Sequence, residues 1–391
     1  MGRAARVMPG GNTRTTAHYP PFPLLIDHAD GPFLWDADGN RLIDLLVNYT
    51  SLVHGHRFPP VLEAVEEVLA HGTAWPAASR WQIDLASLLC ERIDSVERVR
   101  FCNSGTEAGL LAVRLARRAT GRRLLLKAEG GYHGSYDELD AGPETLQAPY
   151  GDAGAFLRTI AAHAHELAAV VLEPVMVSAG VISPPAGFLT AVADATRATG
   201  AVFVLDEVVT LRLGVGGAQE AVPGLRPDLT MMGKIIGGGF PVGAVGGRAD
   251  LVDLLDPRRP TALPHSGTFN GNPVTCAAGA AAVRALDAAA VERLAEAGER
   301  LHDSLEASAA RHGLDVPVAR AGSLLHLDAG RLAGSDEPDL GPADRFHLEA
   351  LEQGLFLAPR GMIALSTAVG ADLLDEICRR FDAVFARLAA A

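Results

Sequence analysis

From Pro60 to His71, apolar residues recur at helical spacing (Val61, Leu62, Val65, Val68, Leu69), and Gly72 follows as a stop signal. Further on, the pattern changes to short continuous apolar runs: Val99–Cys102, Leu124–Lys127, Ala169–Leu172, Ala201–Leu205 and Leu229–Met232. Runs of that length read as buried strands, and helical stretches separate them, one of which runs from Asn103-Ser-Gly-Thr through Arg118. Strands alternating with helices predict a largely parallel sheet covered on both faces. Before this region, Pro32–Asp44 has two apolar runs around an Asp-Gly-Asn turn, the pattern of a short β meander. After it, an Ala-rich helical region begins near Asn272, and Gly322–Leu327 and Met362–Ser366 read as strands of a smaller α+β domain. The expected division is an arm and part of the small domain over 1–55, a large domain over 56–285 and a small domain over 286–391. There is no internal repeat.

A chain of 391 residues has ample length for a large and a smaller domain. The net charge of −13 argues against a general nucleic-acid or anionic-membrane surface, though not against a local cationic pocket. Cys90, Cys102, Cys276 and Cys378 are widely spaced and show no metal-ligand pattern, as expected of small apolar residues in a reducing compartment. No uninterrupted apolar stretch is long enough to span a bilayer; the richest, Leu167–Ile182, is broken by Glu173 and Pro174. The first residues lack the apolar core of a signal peptide, so the cytosol is the expected compartment.

Composition matters most in the lysines. Lys and Arg together number 34, yet Lys127 and Lys234 are the only lysines. Arginine supplies the rest of the positive charge, but it cannot replace an amine that must lose its proton and attack a carbonyl. Lys234 follows an apolar run and precedes Ile-Ile-Gly-Gly-Gly, a fitting address for an imine-forming lysine. Lys127 is expected at a strand end in an ion pair.

Other clusters carry chemistry in combination. Asn103-Ser-Gly-Thr-Glu-Ala opens a helix after a strand; its exposed amides and dipole favour an anion, while a plain Ser104–Glu107 capping box fits equally. Asp206 and Glu207 end a buried strand, where a carboxylate can hold a cationic nitrogen, cap a helix or form half of a metal site. No histidine or cysteine partner stands at useful spacing for a metal. Gly130-Gly-Tyr132-His133-Gly can set a ring face against a flat ligand, or be an ordinary turn. His265-Ser-Gly-Thr268-Phe-Asn-Gly-Asn-Pro offers a further hydroxyl for phosphate, or a turn with a cap. A phosphate cradle, a stacking aromatic, a carboxylate for a ring nitrogen and an imine-forming lysine, in that order, describe a pyridoxal 5′-phosphate site. There is no GxGxxG after a strand and no Walker motif, so a nucleotide reading is weak.

With those motifs, Leu172-Glu-Pro, and Thr230-Met-Met-Gly-Lys through Ala244, the chain resembles the class III aminotransferases of PLP fold type I over essentially its whole length. The resemblance implies a large domain with a mainly parallel seven-stranded sheet and a smaller α+β domain. It also implies that Lys234 forms the imine with the cofactor, Asp206 pairs with the ring nitrogen, Val208 packs on one ring face and Tyr132 on the other. His133 lies beside them, Glu173 belongs to the cofactor site, and Ser104, Gly105 and Thr106 hold the phosphate. Thr268 of a partner subunit completes the phosphate site, so a homodimer is implied. Two branches are similar: glutamate-1-semialdehyde 2,1-aminomutases, by Met8-Pro-Gly-Gly and Trp35-Asp-Ala-Asp-Gly-Asn, and β-amino-acid aminotransferases, by Asn12-Thr-Arg14-Thr, Asn48-Tyr-Thr and Ala358-Pro-Arg360-Gly. Ser178 where the mutase pattern has Asn, a compressed region after His133, and Arg360-Gly favour the transaminase. In that reading Arg14 and Arg360 clamp carboxylates and Tyr49 lines the amino-donor pocket. The expected reaction is ping-pong transfer from an amino acid, of β type, to a keto acid; the alternative is a 2,1-aminomutase.

Overall fold

The computed structural model describes residues 2–21, 23–140, 142–332 and 341–390. Phe22, within the Tyr19-Pro-Pro-Phe-Pro stretch of the arm, lies outside the described residues. The chain forms two compact units, one from residues 1–49, 54–58 and 293–391, the other from 50–53 and 59–292. The last boundary, between Glu292 and Arg293, falls inside the long helix Ala288–Arg311. In chain order the strands are β1 (Ile26–Asp30), β2 (Phe33–Asp36), β3 (Arg41–Asp44), β4 (Arg98–Cys102), β5 (Leu124–Ala128), β6 (Thr145–Ala148) and β7 (Leu167–Leu172). Then come β8 (Val202–Asp206), β9 (Leu229–Gly233), β10 (Gly243–Gly247), β11 (Val318–Ala321), β12 (Leu324–Leu327), β13 (Leu355–Phe356) and β14 (Met362–Ala364).

The unit around residues 59–292 is built on a seven-stranded sheet of order β4-β10-β9-β8-β7-β5-β6. β9, β8, β7, β5 and β6 pair in parallel, whereas β10 is antiparallel to both β9 and β4. The sheet is therefore mixed: β4 runs with the parallel set and β10 alone runs against it. The apolar pattern predicted neither β6, a partly exposed edge, nor β10, whose sequence Gly-Ala-Val-Gly-Gly lacks the aromatic and β-branched run expected of a buried strand. Packing explains those glycines. A Cβ on Gly243 would stand 1.9 Å from the Ser104 carbonyl oxygen, and one on Gly246 2.6 Å from Val96 Cγ1.

Two apolar layers cover this sheet. Leu125, Val171 and Val204 face the helix Gly105–Thr120 through Leu111 and Leu115, while their strand neighbours Leu126, Val170 and Phe203 pack with Phe156, Ile160 and Phe188. Successive residues thus serve opposite faces, which is why these strands read as continuous apolar runs. The helix starts at Ser104, whose Oγ accepts from Glu107 N, and stops at Gly121 (φ 69°).

The other unit holds a sheet of order β1-β2-β3-β13 and a three-stranded sheet β11-β12-β14. β13 pairs with β3 in parallel, and Ala364 N donates to Leu45 O (2.7 Å), joining the two sheets through the chain beyond β3. Helices Pro342–Glu352 and Ala371–Ala390 complete it.

Candidate active site

Parallel strands carry their successive C-terminal ends to one edge of the sheet, where ligands bind in open α/β folds. Ser104 follows β4, Tyr132 and His133 follow β5, Glu173 follows β7, Asp206 ends β8 and Lys234 follows β9. β10 runs the other way, so its first residue lies at this same edge. Gly243 pairs with Cys102 on one side and Gly233 on the other, seating the Ser104 and Lys234 turns on either flank.

At the first turn, the amides of Gly105 and Thr106 precede the first intrahelical bond, Ala108 N to Ser104 O. Both readings of this motif meet here. Ser104 Oγ caps Glu107 N (3.1 Å), while the Glu107 carboxylate accepts from Asn103 N (2.9 Å), one residue ahead of a standard capping box. Asn103 Nδ2 also donates to Asn270 Oδ1 (2.8 Å), fastening the exposed Thr268 loop beside it.

Asp206 is buried and doubly engaged. Its Oδ1 accepts from Val208 N (2.9 Å), and its Oδ2 lies 2.8 Å from His133 Nδ1. His133 Nε2 is buried and has no partner among the described residues. Val208 lies over the floor of the site: a methyl on Gly105 would approach its Cγ1 to 3.0 Å and one on Gly233 to 3.3 Å. Glu173, also buried, accepts from Tyr132 N (3.4 Å) and Val177 N (3.3 Å). Burial pushes its carboxyl up to about 7, with the neighbouring Asp206 adding to the rise and His133 opposing it. Tyr132 is half exposed and its hydroxyl lies 3.1 Å from Ser135 Oγ.

Lys234 is half-buried and adopts φ 50°, a conformation rare outside glycine. Its turn is held rigidly from below. Gly238 (φ 58°) would place a Cβ 2.4 Å from Ala278 O, and Gly279 would place one 1.9 Å from Ile236 O, so the turn and the helix Pro273–Ala285 meet backbone to backbone.

The family profile described as aminotransferase class-III matches residues 15–141 and 147–385. The chain belongs to this family. It is 40% identical to a β-phenylalanine transaminase of Variovorax paradoxus over 93% of this chain and 86% of that one. It is 38% identical to a glutamate-1-semialdehyde 2,1-aminomutase of Caldivirga maquilingensis, over 98% and 96% of the two chains. A solved transaminase with PLP bound superposes with a TM-score of 0.94 at 34% identity, covering 100% of this chain and 96% of that one.

This class III aminotransferase has the PLP type I fold and uses pyridoxal 5′-phosphate. The residues at the sheet edge fit that cofactor. A helix N-terminus offers amides to a phosphate, a buried carboxylate can hold a ring nitrogen, and Val208 presents an apolar face between two glycines. A primary amine stands at the end of β9, and His133 keeps a buried ring nitrogen unpartnered.

Arg14, Tyr49 and Arg360 lie in the other unit. The structure brings the first two together: the Arg14 guanidinium carbon is 5.8 Å from the centre of the Tyr49 ring, and Tyr49 Oη donates to Thr16 O (2.7 Å). Arg360 Nη2 lies 3.4 Å from Met362 Sδ. Neither arginine has an acidic partner within salt-bridge distance among the described residues.

One expectation is corrected. Lys127 forms no ion pair among the described residues; its Nζ donates to the carbonyls of Gly131 (2.9 Å), Leu139 (2.8 Å) and Asp140 (3.0 Å), bracing the loop that carries Tyr132 and His133. Three other roles escaped the sequence reading. His133 is a direct partner of Asp206. Glu207, fully buried, anchors the segment 210–219 through Thr210 Oγ1 (2.5 Å), Ala218 N (3.2 Å) and Gln219 N (2.8 Å). Tyr136 carries a buried hydroxyl with no partner among the described residues, in space that Gly109 leaves open. These pairs are separated by up to 73 residues in sequence, and no local pattern announces them.

Proposed function

We propose that this aminotransferase takes its amino group from a β-amino acid with an apolar substituent and passes it to a 2-oxo acid. The observation that carries this reading is the pair of arginines, Arg14 and Arg360, without an acidic partner among the described residues. Each has a guanidinium charge to spend on a substrate carboxylate. Tyr49 lines the donor pocket. Ser178 in place of the mutase asparagine, and the likeness to the Variovorax paradoxus β-phenylalanine transaminase, support the same choice.

When bound, pyridoxal 5′-phosphate supplies an electron sink for the carbon that loses its proton. Ser104, Gly105 and Thr106 would hold its phosphate, joined by Thr268 of a second copy in a homodimer. Tyr132 and Val208 would pack on the ring, and Glu173 fixes the Tyr132 backbone. The Asp206 carboxylate would hold a proton on the ring nitrogen, and His133 Nδ1, 2.8 Å from its Oδ2, would keep that carboxylate in position. Lys234 Nζ takes the proton from the amine-bearing carbon of the donor. In the second half-reaction it returns one to the acceptor carbon. The compartment is the cytosol.

The test is product formation from β-phenylalanine with 2-oxoglutarate or pyruvate, compared with glutamate 1-semialdehyde alone. A keto product that requires the acceptor supports the transaminase. Rearrangement of the semialdehyde without an acceptor, and no use of β-amino donors, establishes the aminomutase in its place.

A further inference from the structure

Val47, Asn48, Tyr49 and Thr50 have φ values of 45°, 49°, 54° and 75°. They form a left-handed turn of four residues without a glycine. L-residues visit this region singly and at a cost, and β-branched residues such as Val47 and Thr50 are the least suited to it. Such a turn persists only where its surroundings over-determine it.

Those surroundings are present. Asp44 Oδ1 accepts from Leu46 N (2.9 Å) and Val47 N (2.8 Å), and its Oδ2 lies 2.7 Å from His56 Nε2. Val47 and Thr50 are completely buried, and Arg212 Nη1 donates to Thr50 O at 3.4 Å. With both ends pinned, the two middle side chains stand outward, Asn48 exposed and Tyr49 half-buried. Each takes hold of the N-terminal arm. Asn48 Oδ1 accepts from Arg14 Nη1 (2.7 Å), and Tyr49 Oη donates to Thr16 O (2.7 Å).

The acceptor on Arg14 is a neutral amide. Asn and Asp both tolerate positive φ, but an aspartate would cancel the guanidinium charge. The amide orients the guanidinium and leaves its charge in place.

We infer that Asn48 is a positioning residue that sets carboxylate preference, its side chain turning Arg14 toward the carboxylate of the amino donor. This rests on the reading of Arg14 as a carboxylate clamp. Tyr49 fixes the arm on which Arg14 is carried.

Three variants of the cofactor-loaded protein test it. Asn48→Gly removes the acceptor while easing the backbone, Asn48→Asp keeps an acceptor but adds a negative charge, and Arg14→Ala removes the clamp. Each is assayed with β-phenylalanine and with 1-phenylethylamine, the matched amine without a carboxylate. Binding of 3-phenylpropanoate is measured in parallel by calorimetry. For Asn48→Gly the preference for the carboxylate donor falls about tenfold through KM, 3-phenylpropanoate binds about tenfold more weakly, and the melting temperature does not drop. Asn48→Asp loses at least as much. The inference is overturned if Asn48→Gly keeps the parent preference and affinity, or slows both donors equally. Should Arg14→Ala itself keep the preference, the clamp reading fails and Asn48 with it. Should Arg14→Ala lose the preference while Asn48→Gly keeps it, the role of Asn48 alone is refuted.

Discussion

His133 Nδ1 lies 2.8 Å from Asp206 Oδ2, with both side chains buried at the edge of the large sheet. A carboxylate so placed is costly to leave without its partner. His133→Leu is expected to lower the unfolding free energy of the cofactor-free protein by about 3 kcal/mol, read from urea denaturation. A loss below about 1 kcal/mol would show that the pair does not hold Asp206.

Lys234→Ala is expected to abolish turnover while part of the cofactor affinity survives, since Ser104, Gly105, Thr106 and Asp206 remain. Lys234→Arg should be equally inactive, because guanidinium does not give up its proton. Single-turnover absorbance with a β-amino donor distinguishes these outcomes, and unimpaired turnover in either variant refutes the role.

For Lys127→Met the expected effect is on the loop rather than the chemistry. Three carbonyls lose a charged donor, so stability should drop by about 3 kcal/mol. Amide hydrogen exchange should rise across residues 131–140. An unchanged exchange rate there would count against the bracing role.

Glu207 makes the stability depend on pH. Burial lifts its carboxyl from an ordinary 4.5 to about 7, with Thr210, Gln219 and Ala218 opposing the rise. A raised folded value means that the stabilisation is fully present below the unfolded value and is lost as pH rises through about 7. At about 1.4 kcal/mol per unit, this group removes up to about 3 kcal/mol between pH 4.5 and 8. Glu173 is shifted in the same direction, so Glu207→Gln should reduce the slope of urea midpoint against pH without abolishing it. An identical slope in the variant would contradict the shift at Glu207.

Replacing Arg360 by Ala is expected to raise KM for a carboxylate donor by about tenfold or more, the loss of one charge-assisted pair. Steady-state kinetics with varied donor and saturating acceptor gives the value. If KM stays the same, Arg360 does not contact the carboxylate.

The turns that gather at the edge of the large sheet were legible because their sequence signals are local. Ser104, Gly105 and Thr106 are adjacent at a helix start, Asp206 ends an apolar run, and Lys234 stood out by the scarcity of its kind. β10 was not legible, since its glycines answer to the Ser104 carbonyl and to Val96, and such demands leave no periodic pattern. The left-handed turn at Val47–Thr50 was hidden for a related reason: nothing in Val-Asn-Tyr-Thr announces positive φ, and Asp44 with the buried ends imposes it. The sequence reading expected Lys127 at a strand end in an ion pair; two of the three carbonyls that hold it instead come from a loop that closes twelve and thirteen residues later.

The two side-chain amines also make the protein unusually simple to label. Lys127 is locked on three carbonyls, and every other basic side chain apart from histidine is a guanidinium that acylating reagents pass over. Lys234 is then the lysine to follow with a mild amine-directed reagent. On the role proposed for Lys234, the mass increment on the peptide that spans it is expected to fall as a preparation takes up its cofactor, a readout that needs no enzymatic assay and no knowledge of the substrate.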